Sequence, residues 1–370
     1  MVLMKRKAGP IAIDFGTCTL RAMQLAGSGD QHEVIAAAQH TYPARGLTTE
    51  REQREVIEAL QAVLREKRFV GRQTVSALGG RELLIKNIRL PEMPETELAS
   101  AVRFEAQERI GDLDQDAEVR FIPAGRVSGD ADPQQEVIVM AAPASAVRRH
   151  LELLSEAGLV SVGIDAAPCA IFRPFDRYLR RSEDQEQVNV FVDVGWAGTR
   201  LVIAKGSEIV FMWSIDVGGV LFDRLVASNL SLDLTQAREL RRRIASVRSD
   251  NRERDPEIGS STIDRVDTAV HPAWEKLGKE IGLCLRYYGV TFRGARPDTV
   301  TCVGGESLHA PYLQHLSEVT GLRCRVGSPL RNVKCAPALP VHETRGPMAD
   351  WTTAVGLSMK PPASTIENVG

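Results

Sequence analysis

Two short stretches carry the residue types that could handle phosphate. The first is Asp14-Phe-Gly-Thr-Cys-Thr and the second is Asp193-Val-Gly-Trp-Ala-Gly-Thr. Each ends an apolar run on an aspartate and then turns on glycine and other residues. A tight turn of this kind exposes backbone N–H groups that converge on anionic oxygens. An aspartate at the strand end can hold a hydrated Mg2+. The candidate phosphate-binding residues are therefore Gly16, Thr17, Cys18 and Thr19 in one turn, and Gly195, Gly198 and Thr199 in the other. Asp14 and Asp193 are the candidates to hold a metal ion through water. Either turn alone is an ordinary hairpin tip. The signal is their repetition, roughly 180 residues apart, with a third glycine turn at Gly304-Gly305 where a base and ribose could lie against the backbone.

The elements that must position these turns follow from periodicity. Short apolar runs at 11–13 and 20–25 read as strands flanking the first turn, and 188–194, 200–205 and 208–215 as strands around the second. Helical spacing marks 52–67, 95–110, 147–157 and 168–181 in the first half. In the second half it marks a helix after Gly218-Gly219 and others at 234–247, 267–288, 312–319 and 352–359. Further strands are expected at 75–77, 82–89, 137–142, 160–164 and 299–303, with a polar turn at 127–135. The stripe Val270, Trp274, Leu277, Ile281, Leu285 and Tyr288 reads as core. Thr235 followed by Arg238 reads as a helix start without its capping-box acid. The polar stretches 180–187 and 248–261 read as an interlobe corner and a loose loop.

Bulk properties narrow the function classes. A chain of 370 residues, 43% hydrophobic and 25% charged, is expected to fold as two lobes. A net charge of −2 gives no basic field for nucleic acid. Six scattered cysteines without a Cys-x-x-Cys pair suit a reducing compartment rather than a disulfide or zinc framework. No signal peptide and no membrane-length apolar run is read. No acid stands out as a general base, so no catalytic residue is assigned.

The order of these motifs resembles the actin/Hsp70-like α/β fold with its ribonuclease H-like duplicated core. More narrowly, the chain resembles the PilM family of type IV pilus assembly proteins and the related FtsA proteins. The segments that carry the resemblance include "IAIDFGTCTLRAMQLAG", "IKNIRLPEMPETELASAVRFEAQERI", "VDVGWAGTRLVIAKGSEIVFMWSIDVGG" and "WTTAVGLSMK", in family order over roughly residues 8 to 360. The resemblance implies a first core subdomain at 8–85 plus 160–187, an FtsA-type inserted subdomain at 86–159, and a second core subdomain at 188–217 plus 297–360. It also implies an accessory subdomain at 218–296 and a tail at 361–370. Gly219, Arg241, Gly304 and Gly305 would contact adenosine, with ATP and Mg2+ as the ligands.

The implied role is a cytoplasmic adaptor, peripheral on the inner face of the inner membrane, that binds the cytoplasmic tail of a PilN-like bitopic protein. Pilus motor ATPases would be reached only indirectly, with ATPase activity weak or absent and self-association left open. Four positions in three separate elements depart from the family pattern. Trp196 stands where a small residue is usual, so its indole must turn into the protein or occlude phosphate. Arg238 and Arg241 stand for a glutamate and a lysine, and Glu306 stands for a third glycine. These departures make the nucleotide site read as partly degenerate. Two alternatives stay open: a small-molecule kinase of the same superfold and an FtsA-like filament-forming protein.

Overall fold

Alternation along the first hairpin decides which side chains face which layer. Strands β1 (Ile11–Phe15) and β2 (Thr19–Ser28) pair antiparallel, with Asp14 opposite Arg21. Ile11, Ile13, Leu20 and Ala22 pack on one face, and Ala12 on the other. Strand β3 (Gln31–Thr41) continues the sheet. No strand was read there, because Ala36, Ala37 and Ala38 have weak strand propensity; their near-complete burial overrides it. Helix α1 (Glu50–Glu66) starts at a capping box in which Glu52 N–H donates to the Thr49 hydroxyl and Thr49 N–H to the Glu52 carboxylate. Strand β4 (Gln73–Leu78) then runs parallel to β1.

This computed structural model describes residues 7–28, 31–42, 49–66, 69–110, 116–127, 133–249, 258–335 and 347–361. The turn read at 127–135, the stretch at 248–261 and the tail at 361–370 lie largely outside the described residues.

A separate sheet follows: β5 (Leu84–Pro91), α2 (Glu95–Arg109), β6 (Glu118–Val127) and β7 (Gln134–Ala142), with strand order β5-β7-β6. Helix α3 (Ala144–Glu156) and strand β8 (Val160–Ala166) return to the first sheet, where Leu153 and Leu154 pack with Leu60 and Val63 of α1. Helix α4 (Ala167–Asp176) leads into β9 (Val188–Val194), β10 (Thr199–Lys205) and β11 (Glu208–Ile215). Val190, Val192 and Val194 face one core and Phe191 the other, as a strand buried on both sides requires.

The valine face is covered by α5 (Gly219–Leu230), α6 (Leu234–Ser249), α7 (Ser260–Phe292) and, after β12 (Thr299–Val303), α8 (Ala310–Thr320). Helix α6 starts at Leu234 as read, but its cap is Asp233 rather than Thr235. Asp233 and Gln236 form its capping box, so Thr235 already lies inside the first turn. Helix α7 starts earlier than read, at Ser260, because Ile258, Ile263 and Val266 are drawn into the same core. The expected stripe on α7 is buried, apart from Leu285, which is half-buried. Strand β13 (Arg323–Val326) completes a five-stranded sheet of order β11-β10-β9-β12-β13, the second lobe.

The chain then crosses back. Strand β14 (Lys334–Cys335) pairs with β3, giving a six-stranded first lobe of order β14-β3-β2-β1-β4-β8. Helix α9 (Thr352–Ser358) packs on that sheet, with Leu357 against Ala12 and Val75, and Val355 in the cluster of Met23, Leu25 and Trp351. The inserted three-stranded sheet docks on the second lobe: Asn87 Nδ2 donates to the Met212 carbonyl at 2.8 Å, and Tyr287 of α7 donates to the buried Glu136 at 2.5 Å.

Candidate functional site

Both Asp-x-Gly turns sit at hairpin tips, and an arginine lies directly across each hairpin at the same offset: Asp14 faces Arg21, and Asp193 faces Arg200. Sequence reasoning missed both arginines, although their matching position in the two repeats was visible. In the second hairpin Arg200 Nη1 donates to Asp193 Oδ2 at 2.7 Å, while its other end lies against Gly79 at the close of β4. In the first hairpin Arg21 turns to Asp350 instead, at 2.7 Å. Desolvation pushes the Asp14 carboxyl from its ordinary value up to about 6; Arg21 and Arg200 pull it down, while Asp193 and Asp350 push it further up. The two aspartates, one from each lobe, are thus near enough for their charges to act on one another.

That raised value has a sign. The folded state holds the Asp14 proton more tightly than the unfolded chain, so the protonated form stabilises at low pH and this contribution is lost as pH rises through about 6. Asp14→Asn removes the penalty on the charge. Its melting temperature relative to wild type is expected to climb between pH 4 and pH 7.5, by the equivalent of at most about 3 kcal/mol at 1.4 kcal/mol per pKa unit. Parallel thermal melts at the two pH values check this; a constant offset would contradict it.

Glycine 304 is required by shape. It takes a left-handed conformation (φ +89°), its N–H donates to the Ala349 carbonyl at 2.9 Å, and any Cβ there would overlap Asp193 and Val194. The third glycine turn is thereby locked to the second hairpin. Gly305, beside it, faces open space. At the second hairpin tip the Gly195 and Trp196 carbonyls accept the N–H groups of Gly219 and Val220, the first of α5, at 3.0 and 2.8 Å. Thr199 turns its hydroxyl inward to the Val217 carbonyl. The Gly16 carbonyl accepts from the Tyr42 hydroxyl, and the Cys18 carbonyl from the Tyr42 N–H, so an unflagged tyrosine holds the first tip. Thr17 sits in that tip and Thr19 begins β2 opposite Thr41.

The positions that depart from the family pattern converge. The Trp196 indole turns into the protein and donates to Asp223 Oδ2 at 2.7 Å. Arg238 stacks over that indole, 5.7 Å from the ring centre, and lies near enough to the Cys18 thiol of the first hairpin for its charge to act on it. Burial pushes that thiol up to about 11, so Cys18 stays protonated at neutral pH. Arg241 donates to Asp223 at 2.5 Å, to the Gly219 carbonyl at 3.3 Å and to Glu306. Desolvation works against the charge on Arg241, but Glu306 and Asp223 outweigh it and hold the guanidinium protonated. Asp223, 2% exposed, is the hub, and no sequence signal had marked it.

Comparison with known proteins matches this geometry to a family. The family described as type IV pilus assembly protein PilM matches residues 12–361. Among solved structures, a chain of a PilM–PilN type IV pilus biogenesis complex aligns with a TM-score of 0.77 and 25% identity, over 96% of this chain and 99% of that one. The ethanolamine utilization protein EutJ from Carboxydothermus hydrogenoformans aligns with a TM-score of 0.55 at 13% identity, over 96% and 90%, a likeness of fold alone. No curated protein matches the sequence.

Proposed function

The chain belongs to the type IV pilus assembly protein PilM family, and on that premise we propose that it is an actin-like adaptor holding the cytoplasmic tail of a PilN-like bitopic inner-membrane protein. The observation that carries this is its likeness, along nearly the whole of both chains, to a component of a PilM–PilN complex. The tail is assigned to a groove beside the inserted unit, residues 86–159. That unit is covalently part of the first lobe yet bonded to the second through Asn87 and Tyr287. A tail seated there senses the spacing of the lobes, and whatever fixes that spacing shifts the population able to bind it. The adaptor works at the cytoplasmic face of the inner membrane through this tail and reaches the pilus motors through its partners. Among the described residues no helix is long and apolar enough to cross a membrane.

The test is fluorescence anisotropy of the full chain with a labelled peptide of the PilN-like tail. Saturable binding with a Kd of about 1 µM, or roughly −8 kcal/mol, is expected, and a scrambled peptide should stay free. Equal signals from both peptides would remove the proposal.

ATP with Mg2+ enters this reading as a modulator of lobe spacing rather than as fuel. As arranged, the cleft does not fit them: Arg200 occupies the Asp193 carboxylate, and Glu306 lies over Gly219. The kinase alternative needs an acid poised beside a substrate pocket, and both cleft aspartates lie under the influence of arginines instead.

A further inference from the structure

We propose that Glu306 is a built-in occupant of the cleft, a carboxylate that holds Arg241 and covers Gly219, and that a nucleoside phosphate enters only by displacing it. This rests on the reading of the cleft as a place for a phosphate-bearing ligand. Three observations carry it. The Glu306 carboxylate ion-pairs with Arg241 and lies so close above Gly219 that even a methyl group at that glycine would overlap it. Its displacement needs only a side-chain rotation: the Glu306 backbone stays held, its N–H donating to the Val194 carbonyl at 3.1 Å, while the carboxylate end is 19% exposed and has open space beside it at Gly305. The receptor also stays in place when the occupant leaves, because Arg241 keeps Asp223 and the Gly219 carbonyl as partners.

Charge gives the ligand class. In the resting network two guanidinium groups, Arg238 and Arg241, meet two carboxylates, Asp223 and Glu306. Arg238 lies over the indole face, with no carboxylate ion-paired to it among the described residues. Removing Glu306 leaves an excess of positive charge beside the first hairpin, which favours an anion with several oxygens able to take planar N–H forks. The device is thus an intramolecular competitor: with its backbone held by Val194, its effective concentration at Arg241 is set by the rotamers of the Glu306 side chain alone.

The experiment is calorimetric titration of the full chain with Mg·ATP and, separately, with tripolyphosphate, using wild type, Glu306→Gln and Glu306→Ala. Both variants are expected to bind Mg·ATP at least tenfold more tightly than wild type. A matching gain for tripolyphosphate assigns the effect to phosphate oxygens; a gain confined to Mg·ATP assigns it to the nucleoside phosphate as a whole, and either outcome supports displacement. Equal affinity in all three proteins overturns it. A gain in Glu306→Ala but not in Glu306→Gln also overturns it, because the obstacle would then be bulk rather than the carboxylate. Circular dichroism on each variant verifies the fold. Tail-peptide anisotropy on the same samples separates the two claims: tail binding without any gain leaves the adaptor and removes the occupant, and a gain without tail binding does the reverse.

Discussion

Arg241→Ala is expected to destabilise the second lobe by about 3–5 kcal/mol, the usual cost of removing one partner from a buried ion pair. At about 2 cal/mol/K of unfolding entropy per residue, a cooperative chain of this length would lose some 4–6 °C in melting temperature. The reason is what remains behind. Asp223, 2% exposed, would keep only the Trp196 indole as a donor among the described residues, and Glu306 would lose its guanidinium beside a glycine floor. The packing of the Arg241 guanidinium over the Phe222 ring, 5.1 Å from its centre, would vanish as well. Differential scanning calorimetry checks the size, and the double variant Arg241→Ala with Glu306→Ala checks the cause. If an abandoned carboxylate dominates, the double variant recovers part of the loss; strict additivity would point to packing alone.

Gly356→Ala is expected to do comparable or greater damage in the first lobe. A Cβ at Gly356 would overlap the main-chain carbonyl of Ala170, so the conflict is between α9 and the backbone of α4. Rotamer changes cannot relieve it, and neither can Ala170→Gly, since the obstructing atoms are not side chain. The helices must separate, which also strains the bond from Arg173 to the Gly356 carbonyl, 2.8 Å long in the native fold. Overpacking of this kind costs about 1–3 kcal/mol where side chains can yield, and more where backbone must move. Loss of soluble full-length protein, or a drop in the urea midpoint at unchanged slope, is the expected result; wild-type stability would show that α9 has room to slide.

Much of the architecture was legible because it rests on local patterns. The two hairpins announce themselves by apolar runs that stop at aspartate and turn on glycine, and the stripe on α7 by spacing alone. What stayed hidden depended on distant contacts. An alanine-rich strand such as β3 is specified by burial rather than propensity. The beginning of α7 is specified by isoleucines that reach a core assembled from elsewhere. At the cleft, Trp196, Arg238, Arg241 and Glu306 each stood out as a departure, yet their union around Asp223 joins α5, α6, the second hairpin and the β12 turn. No spacing along the chain encodes that meeting. Arg21 and Arg200 are a different case, since their repeated register was readable and only the aspartates drew attention.

The return of β14 and α9 to the first lobe sets an order for biosynthesis. One face of the amino-terminal sheet is closed by Met348, Trp351, Ala354 and Val355, which are made only after every strand of the second sheet. The carboxyl-terminal sheet is complete once Val326 has appeared. The sheet made first therefore cannot bury this face until the second sheet has been made, and during that interval it is the part most in need of a chaperone.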